Sequence, residues 1–279
     1  TSPTPSAQPA TPPPARVDAA AAFATVRLLA GVIGPRETTS ASYRRAAAEV
    51  VDRFTDLGYD VVRQRFRVPA GVSWGVDVPA GGTANVVATP GGFDPRQPHL
   101  LVGAHLDTVP QAPGAEDNAS GVAVLLDLAR LAAEHPTRRP VVFVAFGAEE
   151  PRGPGDDQHH YGSRAYVDAT PAAQRRALDG MVSLDRVGTG STVPVCTGGL
   201  SPRDVQRALL RGARRVGVPS RACDNRTSDH WPFEKAGETV ARVGGNDYAA
   251  YHSERDRPAV VRPRQLERTG ALVWEWLTG

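Results

Sequence analysis

The feature that most constrains the fold is an alternation of short apolar runs with longer helical stretches. Several runs are apolar at consecutive positions, which is typical of strands covered on both faces. Helical stretches over 118–135 and 203–217 lie between them. This alternation predicts an α/β fold, a single domain whose mostly parallel, mixed central sheet lies between helices. The predicted strands are 61–68, 85–89, 99–109, 141–150, 181–188, 193–198 and 239–245.

An amphipathic helix is predicted ahead of the first strand. Within residues 41–57, the apolar residues Val50, Phe54 and Leu57 recur at helical spacing, and Gly58 follows as a stop signal. We therefore expect a helix over 41–57 that packs one face against the sheet.

The first fifteen residues have a composition that cannot form a core. They hold six of the 25 prolines and no charged or aromatic residue, which is typical of an extended tether. An ordinary frayed terminus is the alternative. We predict a tether over 1–15 and one domain over 16–279, and we expect an exported or cell-surface-associated chain whose leader has been removed.

The two cysteines leave two possibilities open. Cys196 and Cys223 could close one disulfide in an oxidising compartment, or they could be two buried free thiols. The disulfide agrees better with export.

Charge and hydropathy exclude two classes of partner. Lysine and arginine number 32 against 30 aspartates and glutamates, a formal net charge of +2, and the basic residues form no stripe. Nucleic-acid binding therefore has no support. No apolar run reaches the roughly 18 to 20 residues that a spanning helix needs, so we predict no transmembrane segment. We expect a monomer.

Candidate functional residues lie at the ends of predicted strands or in the adjoining loops. His105 and Asp107 end one strand and could simply form a stabilising pair. Asp117 could cap the helix that follows it. Glu149 and Glu150 are harder to explain structurally, since adjacent carboxylates repel unless a cation or separate environments offset the cost.

Two further candidates complete the set. Asp185 follows the apolar run MVSL, and His252 lies in the loop sequence YHSERD. The carboxyl ends of parallel strands meet at one edge of a sheet, where ligands bind. Two histidines with three carboxylates offer the mixed nitrogen and oxygen ligation that suits zinc, and five ligands suit two metals bridged by one carboxylate.

The ordered motifs resemble a known family. HLD, PGAEDNASGVA, GAEE, SLDRVG, SDHWPF and YHSERD occur in this order over roughly residues 40 to 255. The chain thereby resembles the secreted bacterial dizinc aminopeptidases, the leucyl-aminopeptidase-like family of co-catalytic zinc exopeptidases.

The resemblance implies a role for each metal ligand. Asp117 would bridge two Zn²⁺ ions, His105 and Asp185 would complete one site, and Glu150 with His252 would complete the other. The implied fold is the zinc exopeptidase fold, with the metals at the carboxyl ends of the strands.

The resemblance also implies three catalytic residues. Glu149 would be the general base that activates the metal-bridging water, and Asp107 would accept the imidazole N–H of His105 and fix its tautomer. Tyr251 would donate a hydrogen bond to the oxyanion in the transition state. Arg226 lies near a position where relatives place an arginine that contacts the substrate carbonyl, although its offset from SDH weakens that assignment.

The sequence departs from the family pattern at two places. The turn after Glu150 is lengthened by an insert over 151–161, whose His159 and His160 resemble ligands but are expected to form a solvated loop or one wall of the substrate pocket. Arg186 stands where relatives with apolar specificity carry a hydrophobic residue. A guanidinium there would favour an acidic side chain or a substrate carboxylate, or would form an ion pair behind the site.

The expected activity is hydrolysis of the N-terminal peptide bond of peptides with a free N-terminus. Two alternatives belong to the same fold: a glutaminyl cyclase with a single zinc, and a carboxypeptidase or dipeptidase. A noncatalytic binding module is a more distant possibility, because such a protein is expected to lose some ligands or the base.

Overall fold

The computed structural model describes residues 15–279, so residues 1–14 of the predicted tether lie outside the described residues. The described part contains ten strands and eight α-helices. The strands are β1 (Asp60–Val68), β2 (Gly71–Ser73), β3 (Val76–Val78), β4 (Gly81–Thr89), β5 (His99–His105), β6 (Val141–Phe146), β7 (Leu178–Leu184), β8 (Val193–Thr197), β9 (Ser220–Asp224) and β10 (Val240–Val243). The helices are α1 (Ala19–Val26), α2 (Ala41–Asp56), α3 (Ser120–Glu134), α4 (Tyr161–Ala169), α5 (Ala172–Arg175), α6 (Asp204–Arg215), α7 (His230–Lys235) and α8 (Pro263–Thr278).

Eight strands form one mixed sheet in the order β1-β4-β6-β5-β7-β10-β8-β9. The centre is parallel, because β5 pairs in parallel with both β6 and β7, and β7 pairs in parallel with β10. Strands β1 and β4 add an antiparallel edge. The predicted fold class, a single α/β domain with a mostly parallel mixed sheet, is confirmed.

All seven predicted strands are present, and the central ones are buried as predicted. Every residue of β5 and β6 is buried, because helices cover both faces of the sheet. One face packs under a large apolar core that includes α1, α2, α3 and α8, and the other packs against α4 and α7. The predicted helix over 41–57 is α2, which ends at Asp56 with Gly58 at a φ of +83°.

The prediction omitted three strands for clear physical reasons. Strands β2 and β3 form a separate hairpin of three residues each, too short to produce an alternation. Strand β9 lies at the edge of the sheet, and none of its five residues is buried. Neither carries the buried apolar run that identified the central strands.

Cys196 and Cys223 form a disulfide between the neighbouring strands β8 and β9, which settles the choice left open by the sequence. Within residues 15–279, no helix combines the length and apolar character needed to cross a bilayer.

Reducing this disulfide, or replacing both cysteines by serine, is expected to lower the free energy of unfolding by about 2–4 kcal/mol, because the bond closes a loop of 27 residues. Denaturant titration of the reduced and oxidised protein measures the change. An unaltered unfolding midpoint would contradict this role.

Candidate metal centre

The sheet topology brings four of the predicted residues to one edge of the sheet. His105 is the last residue of β5, Asp185 follows β7 directly, and Glu149 and Glu150 lie in the loop after β6. Since β6, β5 and β7 are parallel neighbours, their carboxyl ends meet at the same edge. The structure therefore places these residues at the carboxyl ends of the strands, as predicted.

Asp117 lies between the two predicted histidine ligands. One carboxylate oxygen is 3.1 Å from His105 Nε2, and the other is 3.2 Å from His252 Nε2. The His252 Nε2 atom is also 3.3 Å from a carboxylate oxygen of Glu150. A carboxylate that faces one histidine with each oxygen has the geometry of a bridging ligand.

Two groups of donor atoms can each hold a metal ion. The first donor set is His105, Asp117 and Asp185, and the second donor set is Asp117, Glu150 and His252. Within each set the ligand atoms lie within 4.8 Å of one another, and all five residues are buried. His105 with Glu149 and Glu150 forms a third possible combination.

The donor sets fit zinc in the type of their ligand atoms and in the buried polar atoms that they leave unpaired. Imidazole nitrogens with carboxylate oxygens are ordinary zinc ligands. Glu150 Oε1, Asp185 Oδ1 and His252 Nδ1 are buried and have no hydrogen-bond partner within residues 15–279. Carboxylate oxygens left unpaired in a low-dielectric interior are costly, and bound cations remove that cost.

The loop that presents Asp117 is held by a residue that the sequence reasoning did not assign. Asp256 is fully buried, and its carboxylate accepts hydrogen bonds from the backbone N–H groups of Glu116 (2.9 Å) and Asp117 (3.1 Å). It also accepts one from the Tyr248 hydroxyl at 2.9 Å. Asp256 follows His252 within the YHSERD motif, so its proximity to a candidate ligand was the available signal.

Asp107 acts on a different partner from the one predicted. The His105 imidazole donates to the main-chain carbonyl of Asp107 at 3.2 Å, whereas the Asp107 carboxylate lies 3.8 Å from the ring nitrogen. The carboxylate instead accepts the backbone N–H groups of Glu149 and Glu150, each at 3.1 Å. The prediction that the Asp107 carboxylate accepts the imidazole N–H is therefore corrected. Only one residue separates His105 from Asp107, so the main-chain carbonyl of Asp107 lies closer to the ring than its carboxylate does.

Glu149 lies beside the donor sets without completing either of the two that share Asp117. One of its carboxylate oxygens is 4.0 Å from His105 Nε2, and the other is 3.3 Å from His160 Nε2. Burial, together with the negative charges of Asp185 and Asp117, raises the pKa of Glu149 to about 8. A carboxylate with a raised pKa next to a metal site suits proton transfer near neutral pH.

The expectation that the 151–161 insert is a solvated loop is wrong for His160. This side chain is buried, and burial lowers its pKa to about 4, so it faces Glu149 as a neutral imidazole. Arg152 anchors the start of the insert by donating to the carbonyl oxygens of Pro69 and Pro79 and to Glu37. Arg152 and His160 are buried near the two ends of the insert, whereas Pro154, Asp156 and Asp157 between them are exposed.

Tyr251 lies at the rim of the site beside the second donor set. Its ring stacks on His252 with 3.7 Å between centroids, and Trp74 packs edge-on against both rings. The Arg186 guanidinium lies over the Tyr251 ring at 4.6 Å. The oxyanion role of Tyr251 stays a prediction, consistent with its place at the rim.

Arg226 is not brought to the site in the way the resemblance suggested. Its Nε donates to the Gly198 carbonyl at 2.9 Å, and its guanidinium lies over the Trp231 ring at 5.2 Å. These contacts occupy the Arg226 side chain, which is exposed.

Without metal, the crowded carboxylates should make stability fall as pH rises. Burial first, and neighbouring negative charges second, raise the pKa of Glu149 and of Asp229 to about 8, and burial raises that of Glu150 to about 7. In the unfolded chain these groups titrate near pH 4. Between about pH 4 and pH 8 the folded state therefore binds more protons than the unfolded state.

We expect the free energy of unfolding of the metal-free protein to decrease over this interval, by about 1.4 kcal/mol per pH unit for each proton of difference. His252 acts in the same direction: burial alone would lower its pKa, but the charge of Glu150 and its hydrogen bonds raise it to about 10. Melting temperatures at pH 5 and pH 8 measure the effect. Zinc binds the deprotonated ligands, so its stabilisation should grow with pH. A metal-free protein that is more stable at pH 8 than at pH 5 would contradict this.

Two histidines and three carboxylates buried at the carboxyl edge of an α/β sheet, with a further glutamate beside them, are the arrangement of a metal-dependent hydrolase. The chain matches peptidase family M28 over residues 85–277, a range that includes all five predicted ligands. It therefore belongs to peptidase family M28.

Individual relatives agree with this assignment. The chain is 32% identical to aminopeptidase YwaD of Bacillus subtilis over 185 residues, which cover 62% of this chain and 39% of that relative. In fold it resembles a solved zinc aminopeptidase from Bacillus subtilis, with a TM-score of 0.82, 19% identity and 95% of each chain covered. It also resembles the Porphyromonas gingivalis glutaminyl cyclase, with a TM-score of 0.78, 23% identity, and 94% of this chain and 98% of that chain covered.

Proposed function

We propose that this chain is a dizinc aminopeptidase that removes the N-terminal residue from peptides. The observation that carries the proposal is the position of Asp117, whose two oxygens face His105 and His252 at 3.1 and 3.2 Å. Asp185 extends the first donor set and Glu150 the second. Two ions sharing the Asp117 carboxylate would use all five predicted ligands and leave Glu149 free.

Each residue around the two ions has a separate role in the proposed hydrolysis. Two bound zinc ions supply Lewis acidity toward the scissile carbonyl and lower the pKa of water. Glu149, whose pKa is raised to about 8, takes the proton from the attacking water and returns it to the leaving amine. Asp107 fixes the backbone of Glu149 and Glu150. Tyr251 donates its hydroxyl proton in a hydrogen bond to the developing oxyanion.

The direct test is hydrolysis of leucine, alanine, glutamate and glutamine p-nitroanilides by the zinc-loaded protein. We expect turnover that a chelator abolishes and added zinc restores. The N-acetylated forms of the same anilides should not be cleaved, because an aminopeptidase requires a free amine. Cleavage of C-terminal residues from N-blocked peptides would favour a carboxypeptidase, and inactivity toward every free-amine substrate would contradict the proposal.

Glutaminyl cyclisation is the second candidate, and the resemblance to the Porphyromonas gingivalis glutaminyl cyclase favours testing it. A cyclase with a single zinc would leave part of the five-ligand set unused. Release of ammonia from a peptide with N-terminal glutamine, with no cleavage of its peptide bond, would identify this activity.

Asp107→Asn is expected to weaken zinc binding by about 10- to 100-fold. The amide keeps one acceptor, but its NH₂ group faces a backbone N–H of Glu149 or Glu150, so the loop that presents Glu150 shifts. Competition with a chromophoric chelator measures the affinity, and circular dichroism shows whether the variant folds. A folded variant with wild-type zinc affinity would contradict the positioning role of Asp107.

We also propose that the protein works outside the cytoplasm. The disulfide between Cys196 and Cys223 supports this, because such bonds persist in oxidising compartments. Fractionation of the producing cells with antibody detection tests it: the protein should be found outside the cytoplasmic fraction and oxidised. A cytoplasmic, fully reduced protein would contradict it.

A further inference from the structure

We propose that Arg186, with the buried Arg242 behind it, recognises a carboxylate group of the substrate, so that the enzyme prefers anionic peptides. This inference rests on the proposed peptidase function and names the substrate class for the same site. It follows from the placement of two guanidinium groups around one carboxylate, that of Asp185, at the edge of the first donor set.

Arg242 is an unusual residue for its position. It lies on β10 in the interior of the sheet, and its side chain is 2% exposed. Its Nη2 atom is 3.1 Å from Asp185 Oδ2. Nevertheless, Nε and Nη2 have no hydrogen-bond partner of good geometry within residues 15–279. Since a side chain that is 2% exposed is out of reach of a substrate, Arg242 acts through its positive charge behind Asp185.

Arg186 approaches the same carboxylate from its other oxygen. Its Nε atom is 3.6 Å from Asp185 Oδ1, beyond hydrogen-bond length, and its side chain is 13% exposed. The guanidinium is instead held over the Tyr251 ring. Its backbone has a φ of +56°, a left-handed conformation that is unfavourable for an arginine. The chain thus accepts local strain to place this cation at the rim.

The other two well-buried arginines of the fold show what a structural arginine does here. Arg36 donates to the carbonyl oxygens of Leu29, Leu106 and Gly114, among others. Arg152 uses Nε, Nη1 and Nη2, each in a hydrogen bond. Each nitrogen of both guanidinium groups donates to an acceptor of the protein. Arg186 and Arg242 differ from them in keeping donors free, and both lie beside the candidate metals.

The local charge also favours an added anion. Asp185 is the one carboxylate that contacts both guanidinium groups, and its negative charge is required by the first donor set. His230 is another ionisable neighbour of Arg242, and burial lowers its pKa to about 4, so it is neutral. Two guanidinium groups therefore share one carboxylate, and a substrate carboxylate supplies a second acceptor for Arg186 at the rim.

Two parts of a peptide could supply this group: the side chain of an N-terminal aspartate or glutamate, and the terminal carboxylate of a short peptide. Matched substrate pairs separate these sources. Glutamate and glutamine p-nitroanilides differ only in a side-chain carboxylate, and the peptides Leu-Gly and Leu-glycinamide differ only in a terminal carboxylate. We expect at least a tenfold higher kcat/KM for the anionic member of one pair.

Arg186→Met should reduce that preference about tenfold or more while retaining turnover of the neutral member, whereas Arg242→Met removes the ion-pair partner of Asp185 and is judged only on the ratio of kcat/KM between the two members of a pair. Arg242→Lys keeps the charge and should retain part of the preference, which separates recognition from packing if Arg242→Met folds poorly. Arg226→Met is the matched control, because Arg226 is occupied by Gly198 and Trp231, and its preference should equal that of the unmodified protein.

Calorimetry gives a readout that does not depend on turnover. Zinc-loaded Glu149→Gln protein is titrated with glutamic acid α-amide and with glutaminamide, and with the peptides Leu-Gly and Leu-glycinamide. At least tenfold tighter binding of the anionic member of one pair, lost in an added Arg186→Met change, supports the proposal. Equal binding within both pairs overturns it, whether or not the anilides are cleaved. Cleavage without any anionic preference would overturn this inference and leave the peptidase function standing, whereas anionic binding without cleavage would do the reverse.

Discussion

Glu149→Gln is expected to lower kcat for aminoacyl anilide hydrolysis by about 10²- to 10⁴-fold, the range associated with a lost general base. The glutamine is nearly isosteric but cannot accept the proton of the attacking water. Because Glu149 belongs to neither donor set that shares Asp117, the zinc content of the variant should stay close to that of the unmodified protein. The measurement pairs steady-state kinetics with metal analysis of the same sample.

Glu149→Asp provides the matched control for this change. It keeps a carboxylate but withdraws it by one methylene, so part of the activity should remain. A Glu149→Gln protein that is inactive because it has lost zinc would show that Glu149 and Glu150 have exchanged roles, consistent with the third combination of donors that includes both.

Asp117→Asn is expected to impair both metal sites at once. Asp117 is the only residue shared by the two donor sets, so the variant removes negative charge from between two cations. At roughly 3–5 kcal/mol for breaking a buried charge pair, zinc affinity should fall by about 10²- to 10³-fold or more, and activity should fall with it. Chelator competition and kinetics at fixed free zinc measure the two losses.

Asp127→Asn is the matched control for Asp117→Asn. Asp127 is a buried aspartate on the neighbouring helix α3, where it pairs with Arg130 and accepts the backbone N–H of Asp18. Its loss should reduce stability without changing zinc affinity. If Asp117→Asn retained two tightly bound zinc ions, the bridging role would be wrong.

The fold was predictable where burial leaves a pattern in the chain. Strands β5 and β6 are buried along their whole length, so they read as continuous apolar runs, and the helical period of α2 gave its end at Asp56 to within one residue. The edge strand β9 left no such pattern, because none of its residues is buried and a polar sequence is therefore tolerated.

The candidate ligands were predictable because parallel strands place their carboxyl ends together. The contacts that support these ligands were not predictable, since they depend on which atoms of a residue contact its neighbours in the folded chain. Asp107 binds backbone N–H groups in place of the imidazole. His160 is buried against Glu149 because Arg152 anchors the insert at a distant loop. Arg242 occurs within an ordinary strand sequence, and only the packing places it beside Asp185.

The number of zinc ions per chain tests the central claim most directly. Metal-free protein is loaded with zinc, freed of excess by gel filtration, and analysed by mass spectrometry for zinc and by amino-acid analysis for protein. The arrangement of the two donor sets around Asp117 predicts two zinc ions per chain, with full peptidase activity reached only when both are bound. A single tightly bound zinc in fully active protein would contradict it.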